Sequence, residues 1–181
     1  MKKLVKKYLV VLMSVFMVFA AVVPTTTVEA ASKQLIIVNT KYNKLSFYNN
    51  DKLVKTFNVA SGKPSTPTPT GKTRVANKIV NRPYYSGGIP GGHPNNPLGN
   101  RWIGIFGGGT YAIHGNNKES SIGKHVSGGC IRMHNAEIRW LFPQVNVGCT
   151  VLIDYSTKTD AQIAKKYGVS FKELYSLDGK L

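Results

Sequence analysis

The chain has 181 residues, with 24 Lys and Arg against 8 Asp and Glu, a formal net charge of +16, and two cysteines. Two cysteines are too few for a disulfide-stapled scaffold, the glycines follow no three-residue period, and the basic excess excludes an acidic disordered tail. The length suits one globular domain.

The first thirty residues read as an export signal and are set apart from the fold. Lys2, Lys3, Lys6 and Lys7 precede a 16-residue apolar run from Tyr8 to Val23, interrupted only by Ser14. Val28-Glu29-Ala30 then places small residues three and one positions before a cut, so cleavage is expected after Ala30. The run is shorter than the ~20 residues that cross a bilayer, and no later segment is apolar enough to span one. Cleavage removes four lysines and one glutamate, leaving 151 residues and lowering the charge from +16 to +13. After the signal the charges form no run longer than a pair and are not interleaved with aromatics, which argues against nucleic acid. Anionic wall polymers are the expected partner of the basic surface, beside the plain alternative of a soluble basic face.

Most of the remaining chain reads as β-structure. Residues 34–39 are a β-branched run, residues 44–48 alternate apolar and polar, and residues 53–60 resume that alternation after the turn signal Asn49-Asn50-Asp51, predicting a three-stranded meander. Residues 61–71 break it with Thr66-Pro67-Thr68-Pro69-Thr70-Gly71, an extended segment whose prolines lack backbone donors. A strand is predicted over residues 72–80, and a second Gly-, Pro- and Asn-rich loop covers residues 86–100. Strands follow at 101–106, 110–113 and 150–153. Asn135 is expected to cap a short helix that Pro143 bounds.

Chemistry concentrates between His114 and Arg132. His114 ends a strand, and sixteen residues later Cys130 stands in Ser127-Gly128-Gly129-Cys130-Ile131-Arg132. Glycines there allow positive φ and close backbone approach. The amides of Cys130 and of a glycine suit an oxyanion formed in acyl transfer, an imidazole in reach can take the thiol proton, and Arg132 adds positive potential. Other readings stand beside this one. Cys130 and Cys149 can form a disulfide in an exported protein, although Cys149 also suits a buried packing role. His93, His125 and His134 compete with His114 as base or as zinc ligands, but no pair has the spacing of a compact zinc site.

At these residues the sequence resembles the catalytic domain of the L,D-transpeptidases, the YkuD-type family. The resemblance is carried by Ile113-His114-Gly115, Ser121-Ile122-Gly123 and the run from Ser127 to Asn135. The segments 66–71, 96–99 with 101–103, and 147–151 fall in family order. It covers residues 33–154. It implies a mainly β fold, a β-sandwich or irregular barrel with short helices. It also implies that Cys130 is the nucleophile and His114 the proton donor and acceptor, with Ser127, Gly128 and Gly129 supporting the nucleophile turn and Arg132 two residues beyond it. The family's thiolate attacks the carbonyl of the third residue of a peptidoglycan stem peptide, releases D-alanine and forms a thioester that a neighbouring amine resolves into a cross-link. Hydrolysis of the thioester would make the same site an L,D-carboxypeptidase. No metal or organic cofactor is implied. Many members carry histidine where this chain has Gly128, which leaves His114 as the base. Sortases space His and Cys more widely, and papain-like wall peptidases place Cys before His.

Residues 155–181 weakly resemble part of a lysin motif, a glycan-binding module, through 163–170 and Glu173-Leu174. Gly168 can end one helix and Ser170-x-x-Glu173 can cap the next, predicting a C-terminal helical hairpin packed on the main domain. The rival to an exported enzyme of the cell wall is a non-catalytic wall-binding protein that keeps the scaffold.

Overall fold

The structure is a computed structural model and describes residues 33–170. The export signal, the Ser170-x-x-Glu173 capping box and the second arm of the expected hairpin fall wholly or partly outside the described residues.

Strands β1 (Gln34–Asn39), β2 (Lys44–Asn49) and β3 (Lys52–Asn58) form the expected antiparallel meander. The β2–β3 turn places Asn50 and Asp51 at φ +48° and +64°, the double positive conformation that short polar side chains tolerate and that matches strand twist. β1 is buried along its whole length. The reason is a parallel partner on its other edge, β11 (Thr150–Asp154), and cover on both faces, which is why its sequence is a continuous apolar run. Leu35 and Ile37 pack with Leu152 and a helix, while Ile36 and Val38 enter the main core.

The strand predicted over 72–80 is two strands in two sheets. β5 (Gly71–Arg74) pairs antiparallel with β11, completing the order β3-β2-β1-β11-β5. β6 (Asn77–Val80) pairs with β7 (Arg101–Ile105). Between them Val75 is buried and donates to Cys149 O at 2.9 Å, and Ala76 donates to Gly104 O at 2.8 Å, so the chain crosses from one sheet to the other within two residues. β8 (Tyr111–His114) pairs antiparallel with β7, and β10 (Ile131–Arg132) pairs parallel with β8, giving the order β10-β8-β7-β6. The 61–71 break is not wholly irregular: β4 (Ser61–Gly62) pairs with β9 (His125–Ser127). Both larger sheets are open, so the architecture is mainly β and sandwich-like, and no barrel closes.

Helix α1 (Asn135–Gln144) contributes Ile138 and Leu141 to the core between the sheets. Asn135 is its first helical residue and not its cap; His134 takes the cap position, and the Glu119 carboxylate accepts from Asn135 N at 3.2 Å. Pro143 lies inside the last turn and does not bound the helix, since near the C-terminal end it forfeits only one ladder bond. Helix α2 (Asp160–Lys166) starts at a capping box between Thr159 and Gln162 and buries Ala161, Ile163 and Ala164 on the outer face of β1 and β11.

Candidate active site

The period of two along β7, β8 and β10 sorts their side chains onto two faces. Ile103, Ile105, Ile113, Ile131 and Met133 point into the core. The alternate residues, Trp102, Ala112, His114, Cys130 and Arg132, therefore share the opposite face. Register places His114 between Trp102 on β7 and Arg132 on β10. Cys130 stands two residues before Arg132, beside Ala112, so it and His114 are diagonal neighbours, a separation of about 7–8 Å between backbones that is within reach of an aromatic side chain. Sixteen residues of sequence are thus closed into one site by a two-residue parallel strand.

Cys130 is half-buried and carries no disulfide; Cys149 is also free, 5% exposed and packed in the core. The Cys130 thiol lies 3.5 Å from the Thr110 carbonyl. It opens into a cavity of about 310 Å³ walled by residues 82–86, Leu98, Trp102, Gly109 and Thr110. A larger hollow of about 370 Å³ beneath residues 63–70 contains neither Cys130 nor His114.

The turn before the thiol is internally braced. Ser127 Oγ donates to Cys130 O at 2.5 Å and accepts from Gly129 N at 3.0 Å. Gly129 sits at φ +119°, and a Cβ there would stand 2.8 Å from the Tyr111 ring, so both backbone and space require glycine. The Gly129 amide is thereby spent inside the turn. The Cys130 amide makes no hydrogen bond among the described residues and is the one free to face an oxyanion. Gly128 is exposed, with open space where a side chain would project. The proline-rich segment braces the turn from behind: Lys63 N and Thr66 Oγ1 both donate to Ser127 O, at 3.0 and 3.1 Å.

His114 is 2% exposed. Its Nδ1 lies 2.6 Å from Gly115 O. A carbonyl only accepts, so Nδ1 carries the proton in the neutral ring and Nε2 carries the lone pair. Burial lowers its pKa from 6.5 to about 4; the Gly115 and Leu98 carbonyls oppose this, and the Arg132 charge adds to it. Burial raises the Cys130 thiol, against the Ala112 amide and the charges of Arg132 and Arg82, which pull it down. The resting pair at neutral pH is a thiol and a neutral imidazole, an arrangement that can form a thiolate when a substrate carbonyl is in place.

The other histidines lie elsewhere. His125 is hydrogen-bonded to Ser61 and Asn43, His134 contacts Glu119, and His93 accepts from Asn95 N in an exposed loop. Among the described residues no three His, Cys, Asp or Glu side chains converge as a metal site requires.

Sequence reading alone misses several residues here. Trp102 stacks on His114, ring centroids 5.7 Å apart at 14°, and Arg82 lies 4.1 Å over the other partner of that stack, the Trp102 ring. Asn116 and Asn135 exchange two bonds, 3.1 Å to Asn135 Oδ1 and 2.7 Å to Asn116 O, while Asn116 Nδ2 donates to Met133 O at 2.7 Å. These clamp the strand end after His114 to the segment after Arg132. An Asn at the start of a helix and one after the His-Gly pair are visible signals, but their pairing is not.

Comparison with known proteins identifies the family. The sequence matches the YkuD L,D-transpeptidase catalytic domain over residues 33–153. YqjB of Bacillus subtilis strain 168, named as an L,D-transpeptidase, is 39% identical over 166 residues, 90% of this chain and 94% of that protein. A mutant of Enterococcus faecium L,D-transpeptidase is similar in structure with a TM-score of 0.55 at 25% identity, covering 67% of this chain and 50% of that one. An L,D-transpeptidase of Mycobacterium tuberculosis H37Rv shares the fold with a TM-score of 0.58 at 18% identity, covering 68% of this chain and 58% of that one. The chain thus spans roughly half to three fifths of these solved proteins. With two open sheets, a cysteine beside a buried histidine, and the family match over residues 33–153, the chain belongs to the YkuD-type L,D-transpeptidase family of acyltransferases.

Proposed function

We propose that this chain is an exported L,D-transpeptidase that acts on peptidoglycan stem peptides through a thioester on Cys130. The observation that carries the reading is the shared sheet face: a cavity-lining thiol on the same face as a buried, neutral imidazole whose Nδ1 is tied to the Gly115 carbonyl, which leaves the lone pair on Nε2.

The proton moves from Cys130 Sγ to His114 Nε2 as the sulfur attacks the carbonyl carbon of the third stem residue. The oxyanion of the tetrahedral intermediate accepts from the Cys130 amide and lies in the positive potential of Arg132. Collapse breaks the C–N bond, and the His114 proton passes to the departing amine of D-alanine. An amine of a second stem then attacks the thioester, giving a cross-link and returning the thiol; water in its place gives the carboxypeptidase product. Ser127 and Gly129 hold the turn that aims Sγ.

The proposed export is supported by the basic start, the apolar run and the small residues before Ala31; an exported enzyme would act at the cell wall, where its positive charge would favour anionic polymers. Among the described residues no helix is long and apolar enough to cross a membrane.

The test is turnover of a tetrapeptide stem with and without an amine acceptor, followed by mass spectrometry of products. D-alanine release by the wild type, cross-linked product only with acceptor, and loss of both in Cys130→Ala and His114→Ala are expected. Full activity in His114→Ala would remove it as base; turnover by Cys130→Ala would remove the thioester. Amino-terminal sequencing of the secreted protein should begin at Ala31, and retention of the whole chain inside the cell would overturn export.

A further inference from the structure

The cavity that holds Cys130 has an uncompensated cation on its wall. Arg82 donates to Gly109 O at 3.0 Å and Gly108 O at 3.5 Å, lies 4.1 Å from the Trp102 ring centroid and 5.8 Å from that of Tyr85, and has no carboxylate partner among the described residues. Its own carbonyl is held by Asn96 Nδ2 at 3.0 Å, so backbone and guanidinium are both fixed. No Asp or Glu lines the cavity. The aromatic face and two carbonyls occupy only part of a guanidinium fork that can donate five bonds, leaving planar capacity for an anion. Its charge reaches the reacting sulfur, because Arg82 is among the groups that draw the Cys130 thiol down.

An enzyme that breaks only the bond before a C-terminal residue needs a mark that separates a chain end from an internal peptide, and the chemical mark is a free α-carboxylate. The geometry points to Arg82 as the residue that binds the α-carboxylate of the acyl donor's leaving residue in the Cys130 cavity and so restricts the enzyme to free C-termini. The assignment rests on the donor chemistry proposed above. Arg82 acts in binding: it holds the leaving residue while the C–N bond is intact and releases it with the free amino acid, so its loss falls on KM more than on kcat.

Two measurements decide it. The first compares alkylation of Cys130 by iodoacetate and by iodoacetamide in wild type, Arg82→Gln and Arg82→Lys. Both reagents need the thiolate, so the ratio of their rates cancels changes in thiol pKa or turn geometry and reports only attraction of a carboxylate. The ratio should fall at least threefold in Arg82→Gln and less in Arg82→Lys; an unchanged ratio overturns the carboxylate site. The second compares a tetrapeptide stem with its C-terminal amide. The wild type should favour the free acid at least tenfold in kcat/KM, mostly through KM, and Arg82→Gln should lose most of that preference. Equal use of both donors by the wild type, or a preference that survives in Arg82→Gln, overturns the proposal. If neither donor turns over while iodoacetamide still labels Cys130, the stem-peptide reading fails, and the alkylation ratio still decides whether Arg82 attracts a carboxylate.

Discussion

Burial of His114 couples its protonation to folding. The ring is held at a pKa of about 4 in the folded protein against 6.5 when free, mainly because burial penalises the charged form. Between those two values an unfolded chain binds a proton at this ring that the folded chain does not. The stability from keeping it neutral is therefore complete above 6.5 and is lost as pH falls through that window to about 4. One proton gives a slope of up to about 1.4 kcal/mol per pH unit, and the whole window amounts to about 3 kcal/mol, a large part of a typical domain's stability. Urea unfolding of wild type and His114→Gln at intervals from neutral pH to pH 4 measures this directly. Subtracting the two curves cancels the exposed histidines and the carboxylates. The wild type's advantage over the variant should shrink by about 3 kcal/mol towards the acid end. A difference that stays flat would show that His114 is not buried as a neutral ring. The acid limb of kcat/KM should likewise fall near pH 4, where the base is lost, and a limb near 6.5 would contradict the same geometry.

Gly129→Ala should lose roughly 2–4 kcal/mol, from the left-handed backbone and the collision with Tyr111, lowering Tm by roughly 5–15 °C; an unchanged melt would contradict the turn. Gly128→His should leave stability within about 0.5 kcal/mol, because the new side chain projects into open space. Denatured without reductant, the protein should titrate two thiols, whereas native protein near neutral pH should react with iodoacetamide at Cys130 alone. Cys149, with burial pushing its thiol up to about 12, should not react.

The meander was legible because its signals are local: alternation within β2, apolar continuity in β1 and a polar turn with two residues able to take positive φ. The sheet crossing at Val75 and Ala76 was not, because one alternating run serves both β5 and β6 and only distant partners divide it. β10 is two residues long and exists through pairing with β8, so no pattern in its own sequence announces it. His114 and Cys130 could be singled out from their glycine neighbours and family context. The roles of Arg82, Trp102 and Asn116 depend on how the loop over residues 82–100 and the start of α1 meet the strand ends. Asn135 shows the limit well: a good capping residue by type, it is drawn one position into the helix because its amide is needed to clamp Asn116.

The proposed reaction requires a covalent intermediate at the Cys130 sulfur. Intact-mass measurement after incubating the wild type with a tetrapeptide donor, without an amine acceptor and quenched in acid, reads it most directly. The predicted result is an added mass equal to the donor less D-alanine, mapped by peptide sequencing to Cys130, absent from Cys130→Ala and much slower to form in His114→Ala. An adduct of the same size in Cys130→Ala, or D-alanine released with no adduct at any quench time, would contradict it.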